Sequence, residues 1–237
     1  MSRAVLAVLL ALSLRGCVAY EYEQEFWIRV DGSGSVNVTA RPELWAAMKG
    51  LCGAQAADES DARQAVRALF ESSGLRVRRV TLTHRGGRPY LFVAADFTDV
   101  NRLAETPAFP DLSLSLRPEG ENLRLEGRWS RPPGLPDVGV DARDGLMAVR
   151  FHLPSKVYSH RNAFAGVERG NIVGWRETVT EALAGRPLEF GAVMDRRSIL
   201  RSTVGLFAIA IAAALAILSS VLGWVVRKGR RSRAAAP

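Results

Sequence analysis

The feature that most constrains this sequence is an uncharged apolar run near its C-terminal end, at residues 203–226. As an α-helix, a run of this length rises about 36 Å, which is enough to cross a bilayer core about 30 Å thick. It has no polar face and charged residues flank it, which disfavours the alternative of a buried core helix. Trp224 lies near one end, where an amphipathic ring suits the membrane interface. The sequence therefore predicts one transmembrane helix over residues 203–226.

A basic cluster follows this run directly and consists of Arg227, Lys228, Arg230, Arg231 and Arg233. Basic residues beside a membrane span are retained on its cytoplasmic side. The cluster predicts that residues 227–237 form a short cytoplasmic tail and that the chain before the span lies outside the cytoplasm.

Residues 1–17 have the layout of an export signal. Arg3 precedes an apolar run at residues 4–14, which is too short to span a bilayer. The ending Leu14-Arg15-Gly16-Cys17 resembles the bacterial lipobox, with Arg15 standing where a small residue is usual. The resemblance implies that Cys17 receives a lipid anchor. The alternative is an ordinary signal peptide that is cut nearby.

The formal net charge of +8 is unevenly distributed along the 237 residues. Ten of the 32 basic residues lie in the leader or beside the apolar run, which leaves 22 basic side chains against 24 acidic ones. The middle of the chain therefore carries about −2. Because a nucleic-acid-binding domain normally concentrates positive charge on its fold, we predict no nucleic-acid partner.

The cysteine content predicts a fold without crosslinks. There are two cysteines, Cys17 and Cys52, and processing at Cys17 would leave no pair for an intramolecular disulfide. Cys52 lies in the segment Leu51-Cys52-Gly53-Ala54, which favours a packed small residue over a nucleophile.

Alternation of apolar and polar residues predicts a series of β-hairpins. Residues 20–30 alternate clearly, and the turn Asp31-Gly32-Ser33-Gly34 leads to a partner strand through Val36 and Val38. Two more hairpins pair residues 75–84 with 90–97, and 112–117 with 123–129. Residues 146–153 and 171–175 are predicted as further strands, and residues 191–200 as the connection to the membrane helix.

Helices are predicted between and after these strands. Residues 41–49 follow Pro42 and precede Gly50, and residues 59–73 carry an amphipathic stripe. A brief helix follows Thr98 or Asp99, and residues 178–184 fit either a helix or a bent strand. Hairpins with few helices predict an α+β domain in which the helices pack on one face of an antiparallel sheet.

Motifs for catalysis, phosphate binding or metal binding are missing from the sequence. The three histidines, His84, His152 and His160, lack metal-ligand spacing. Glu21, Glu23 and Glu25 share one strand face that could bind a cation, although a solvated outer face is favoured. An enzyme would need Glu21 or Glu25 beside His84 in a cleft. We therefore predict no catalytic residue, no cofactor and no metal site.

Several segments recur together in one known family. Val18-Ala19-Tyr20-Glu21-Tyr22 follows the lipobox-like cysteine, and an Asp-Gly-Ser-Gly turn comes next. Phe151-His152-Leu153-Pro154, Arg169-Gly170-Asn171-Ile172-Val173-Gly174-Trp175 and the C-terminal span complete the set. This layout resembles the LppM-type bacterial lipoproteins. The resemblance implies a curved antiparallel β-sheet with two or three helices on one face, in an extracytoplasmic domain over residues 18–195, and a link to envelope lipids.

The leading hypothesis is a non-catalytic binding module for lipid or other envelope components, held at the outer face of the cytoplasmic membrane. A curved sheet closed by helices can enclose an apolar pocket. One alternative is a structural protein that binds another envelope protein, and another is an enzyme acting on envelope components. A eukaryotic single-span protein is a weaker alternative for the localisation.

Overall fold

The computed structural model describes residues 20–135, 139, 145–196 and 199–234. The leader with Cys17 and most of the loop at residues 136–144 lie outside this range. The predictions of an export signal and of a lipid on Cys17 therefore stay predictions.

The described chain contains eleven strands, which are β1 (Tyr22–Ile28), β2 (Gly34–Ala40), β3 (Arg76–Arg85), β4 (Arg88–Phe97), β5 (Leu112–Glu119), β6 (Asn122–Trp129), β7 (Leu146–His152), β8 (Val157–Arg161), β9 (Val167–Glu168), β10 (Ile172–Thr178) and β11 (Leu188–Asp195). The helices are α1 (Pro42–Lys49), α2 (Glu59–Ser72), α3 (Val179–Leu183) and α4 (Ile199–Ala234). Two short 3₁₀ turns cover Cys52–Gln55 and Val100–Glu105.

The strands form two sheets. The large sheet has the order β3-β4-β2-β1-β7-β10-β9, and the small sheet has the order β5-β6-β11-β8. Neighbouring strands are antiparallel except for β1 and β7, which run parallel with Tyr22 beside Met147 and Trp27 beside His152. Strand β1 therefore joins the early hairpins to the late strands at the centre of the large sheet.

A continuous apolar core fills the space between the large sheet and the elements that cover it. Phe26 and Phe151 stack with ring centroids 5.0 Å apart, and Phe190 of the small sheet lies 5.2 Å from Phe151. Phe70 of α2 meets Phe109 edge-on at 5.7 Å. Each fully buried ring of this kind stabilises the fold by about 1.5–3 kcal/mol. The inner face of the large sheet is thus covered by the small sheet and by helices.

The predicted α+β class is confirmed, and the three predicted hairpins and first two helices form where expected. Asp99 caps the 3₁₀ turn that follows it by accepting from the backbone N–H of Asn101. The ambiguous segment at residues 178–184 contains a helix, because Thr178 and Glu181 form a reciprocal capping box at its N-terminus.

The arrangement of strands differs from the sequence prediction in two respects. The strands divide between two sheets, and one pair is parallel, because β7 returns to β1 after the intervening chain has built the small sheet. The prediction that residues 191–200 only connect to the membrane helix was wrong. Residues 188–195 form β11, whose inward residues Phe190, Ala192 and Met194 are buried between β6 and β8.

Helix α4 contains the apolar stretch Val204–Trp224, with a mean hydropathy of 2.5 and no part of it buried. It is long and apolar enough to cross a membrane, which supports membrane association. Because its apolar side chains are exposed, this stretch contributes nothing to the core of the folded domain.

Candidate functional site

A polar cluster lies buried between the two sheets around Asp111, which precedes β5. Its carboxylate accepts hydrogen bonds from Lys49 Nζ at 2.9 Å, Gln24 Nε2 at 2.7 Å, Trp129 Nε1 at 2.8 Å and the Tyr22 hydroxyl at 3.1 Å. These five residues, the Asp111 cluster, come from both sheets, α1 and a connecting segment. The cluster therefore fixes the position of α1 and of the two sheets relative to one another.

The Asp111 cluster is closed to solvent. The side chains of Lys49 and Asp111 have no exposed surface, and Lys49 also donates to the carbonyl oxygen of Ala108 at 2.5 Å. Burial lowers the pKa of Lys49, although Asp111 opposes this shift. Burial and the Asp111 charge raise the pKa of Tyr22 well above its usual value. Since no ligand can reach these groups, we assign the cluster a structural role.

Glu21 lies at the opposite, outer face of the large sheet and is held by cationic and hydroxyl partners. Its carboxylate accepts a hydrogen bond from the Tyr90 hydroxyl at 3.1 Å, and Arg41 and Arg88 approach it at 3.3 and 3.6 Å. Burial, followed by the charge of Glu21, raises the pKa of Tyr90. The negative charge of Glu21 is therefore already balanced by basic groups of the protein.

Glu23 and Glu25 face the same side of β1 and are also paired. Glu25 Oε1 lies 2.6 Å from His152 Nε2, and Arg150 reaches both carboxylates at 3.7 Å. Trp27 stacks on the His152 ring with centroids 4.6 Å apart. Burial raises the pKa of Glu23, and Arg150 opposes this shift.

These contacts show where the three glutamates lie relative to the histidines and the basic residues. The structure places His152 beside Glu25, whereas His84 lines a cleft on the other side of the β3–β4 hairpin. Each glutamate has a cationic partner, and the described residues contain no group of three His, Cys, Asp or Glu that could hold a metal ion. The partner of Glu25 could not be predicted, because residues 25 and 152 meet only through the parallel pairing of β1 with β7.

Arginines outnumber carboxylates on this outer face, among the outward residues of β1 to β4, β7 and β10. We call this surface the arginine face, and its cations are Arg76, Arg78, Arg79, Arg85, Arg88, Arg150 and Arg176. Val77, Val80 and Leu82 of β3 pack towards the core, which turns the intervening arginines outward. A register shift between Val77 and Arg79 adds Arg78 to the same side, where it pairs with Asp96 at 3.2 Å.

Three arginines of this face stack on aromatic rings instead of pairing with acids. The pairs are Arg79 over Phe92 at 5.0 Å, Arg85 over Tyr90 at 5.0 Å and Arg176 over Phe164 at 4.3 Å. Within the described ranges, none of these three arginines has a carboxylate within 4 Å. A guanidinium that stacks through its plane keeps its in-plane N–H donors available. The face therefore presents preorganised donors for phosphate or carboxylate groups.

The clefts of the described surface are small and polar at their edges. A cleft of about 430 Å³ lies between the β3–β4 hairpin and the α1–α2 connection, lined by Glu43, Gln55, Leu82 and His84 among others. Two others measure about 280 and 230 Å³. All three open at the surface, and aromatic rings fill the described space between the sheets. None of these three clefts is the enclosed acyl pocket that the lipid-binding hypothesis invoked.

The remaining residues considered from the sequence lie apart from this face. Cys52 is exposed at the start of a 3₁₀ turn, so the prediction of a packed residue was wrong. Only Ala54 of that turn is buried, since four residues present one side to the core. Cys17, the predicted lipid acceptor, lies outside the described residues.

Fold and site together define a two-sheet α+β domain with an arginine-rich outer face, joined to a helix long enough to span a membrane. No protein-family model matches the sequence, and no curated protein matches it. Among solved structures, the chain is similar to the folded domain of LppM from Mycobacterium tuberculosis, with 16% identity and a TM-score of 0.41. The similarity covers 77% of this chain and 94% of that domain. Membership of the LppM-type lipoproteins stays a prediction.

Proposed function

We propose that this chain is a single-pass protein of the bacterial cytoplasmic membrane whose extracytoplasmic domain binds anionic envelope components without catalysis. The proposed organisation is an export signal at residues 1–17 with lipid on Cys17, a domain over residues 18–195, a span at residues 203–226 and a cytoplasmic tail. The export layout, the apolar helix α4 and the basic cluster after it support this topology.

The arginine face is the observation that carries the proposed binding function. Arg79, Arg85 and Arg176 are exposed on the outer side of the large sheet, stack on aromatic rings and have no carboxylate within 4 Å among the described residues. Guanidinium groups bind phosphate and carboxylate through two parallel hydrogen bonds. Such a surface selects ligands by their anionic groups.

The filled core shapes what kind of lipid the domain can bind. A lipid held by an enclosed pocket would need space for acyl chains, whereas the rings of Phe26, Phe151 and Phe190 occupy the centre of the domain. Recognition through the arginine face requires only the charged headgroup. A lipid headgroup or another phosphate-bearing or carboxylate-bearing envelope molecule fits this surface.

Co-purification tests the proposal. Residues 18–196 would be exported as a fragment that keeps all of β11, purified, extracted with organic solvent and examined by mass spectrometry. We expect an anionic species that is lost from the variant Arg79→Gln/Arg85→Gln/Arg176→Gln. The control Arg117→Gln/Arg128→Gln/Arg161→Gln removes three arginines from the small sheet and should retain it. A clean extract from well-folded wild type would refute lipid binding and favour an acidic protein partner.

A further inference from the structure

The two ends of the domain are fixed by strand direction. Strand β11 ends at Asp195, whose backbone N–H donates to the carbonyl oxygen of Lys156 at 3.0 Å. Lys156 lies in the short loop that follows His152 at the end of β7. Helix α4 therefore leaves the domain at the same end as Trp27 and His152, and seven residues separate Arg196 from Val204.

The N-terminal anchor leaves at the opposite end. Because β1 is parallel to β7, Tyr22 lies at the end of the large sheet farthest from Asp195. Ile28 follows Tyr22 by six steps of extended chain, a distance of about 20 Å. Cys17 precedes Tyr22 by five residues, which reach at most about 17 Å. A lipid on Cys17 and helix α4 can share one bilayer only if β1 tilts towards the membrane plane.

Charge indicates which side of the tilted domain faces the bilayer. On the small sheet three of the four outward arginines of β5, β6 and β8 are paired, with Arg124 at 2.7 Å from Glu119 and Arg161 at 3.5 Å from Glu189, and only Arg128 of these described residues has no carboxylate within 4 Å. On the large sheet none of the three stacked arginines has a carboxylate within 4 Å among the described residues. Trp27 on the outer side of β1 and Phe164 in the loop against the same side have amphipathic or apolar rings that suit a membrane interface, and Phe164 is 40% exposed.

From these observations we infer that the domain lies on its side, with the arginine face against the bilayer that holds helix α4. The ligands of this face are then the headgroup phosphates of anionic lipids. The inference rests on the proposed function and names the ligand of the same face. The short connection to α4 keeps the domain within reach of that surface, so headgroups are present at high effective concentration. A soluble anionic polymer or an acidic protein has no such tether.

Depth-dependent quenching of the full chain tests this orientation. In a Cys52→Ser background, a fluorophore is attached to Thr81→Cys on the outer face of β3, or to Ser113→Cys on the exposed face of β5. The Cys52→Ser chain without an introduced cysteine serves as the control for any fluorophore that attaches to Cys17. Each protein is reconstituted in phosphatidylcholine vesicles, or in equal parts of phosphatidylcholine and phosphatidylglycerol, with a nitroxide headgroup lipid as quencher.

We expect quenching at Thr81→Cys in the anionic vesicles, weaker quenching in neutral ones, and little at Ser113→Cys in either. Each basic residue near an anionic surface strengthens attachment roughly five-fold. Replacing Arg79, Arg85 and Arg176 by Gln should therefore lower the ratio of docked to free domain by about 100-fold. The Arg117→Gln/Arg128→Gln/Arg161→Gln control should leave the ratio unchanged, and raised salt should weaken docking.

Equal quenching at the two positions, or none at Thr81→Cys in anionic vesicles, would overturn the inference. So would docking that persists in the arginine variant and is lost in Cys17→Ala, because the lipid anchor alone would then set the orientation. These outcomes are separate from the co-purification result. An anionic ligand that co-purifies with the fragment while the full chain fails to dock would keep the proposed function and replace the bilayer with a soluble partner.

Discussion

Gln24 and Glu25 are neighbours in β1 and meet two different polar environments. Gln24 faces the closed Asp111 cluster, where one ammonium, one carboxylate and neutral donors are matched without access to water. Glu25 faces the half-exposed outer side of the same sheet, where arginines exceed carboxylates. Only the outer environment can hold surplus charge, because water screens what the protein leaves unpaired.

This difference assigns the buried polar groups to the stability of the domain and the polar groups of the outer face to binding. A buried charge that loses its partner costs several kcal/mol, so the interior tolerates only closed networks. Surplus arginine on the outer face costs little, and it remains available to an anion. We therefore expect substitutions inside to affect folding and substitutions outside to affect binding.

The largest loss in the free energy of unfolding is expected for Asp111→Ala. This change leaves the buried Lys49 ammonium without its carboxylate partner, and it removes the acceptor for Tyr22, Gln24 and Trp129. The free energy of unfolding should fall by about 3–5 kcal/mol, measured by urea denaturation of residues 18–196. Lys49→Met should cost less, because three neutral donors still satisfy the carboxylate. A loss below about 1 kcal/mol for Asp111→Ala would show that the cluster is not closed in solution.

A pair of adjacent substitutions compares the two sides directly. Gln24→Ala removes a donor to Asp111 and also an Oε1 atom that has no hydrogen-bond partner among the described residues. We expect a loss of about 1–3 kcal/mol. Glu25→Ala removes a half-exposed partner of His152 and should cost about 0–1 kcal/mol. Equal losses in denaturation would contradict the division between the two sides.

The last prediction concerns a pH dependence of the free energy of unfolding at Glu177, on β10. Burial and the nearby charge of Glu181 raise the pKa of Glu177 to about 7, from an ordinary value of 4.5. The folded state then binds more protons between these values, so the free energy of unfolding falls as pH rises through this range. Glu177→Gln should be more stable than wild type at about pH 8, with a smaller difference at about pH 5. A constant difference in denaturation midpoint would exclude this titration.

The sequence alone predicted those elements in which apolar and polar residues alternate with a clear period. The β1–β2 hairpin was predicted because Phe26 and Val36 alternate with polar residues, and α2 because residues 59–73 carry an amphipathic stripe. Strand β8 was missed because it is an edge strand, and Val157 is its one buried residue. Strand β11 was missed because it contains the small residues Gly191 and Ala192, which in the sequence resemble a connecting segment. Only the pairing with β6 and β8 shows that they lie in a strand.

The candidate site was less predictable than the fold. The whole-domain charge of about −2 hid the arginine face, because acids elsewhere cancel it in the total. The arginines of β3 are visible in the sequence, but the side they occupy depends on the register shift at Arg79. The Asp111 cluster has no local signature, since Tyr22 and Asp111 lie 89 residues apart.

In the proposed topology, in which the domain is exported, the parallel pairing of β1 with β7 also sets the order in which the domain can fold. The first strand to emerge from the export channel must wait for Met147 and its neighbours before its second edge is covered. The small sheet is completed later, because β11 lies between β6 and β8 and ends just before helix α4. Such long-range pairing slows folding. In that proposed topology the domain can complete both sheets only when almost the whole chain ahead of helix α4 has crossed, which would couple final folding to arrival of the anchor at the membrane.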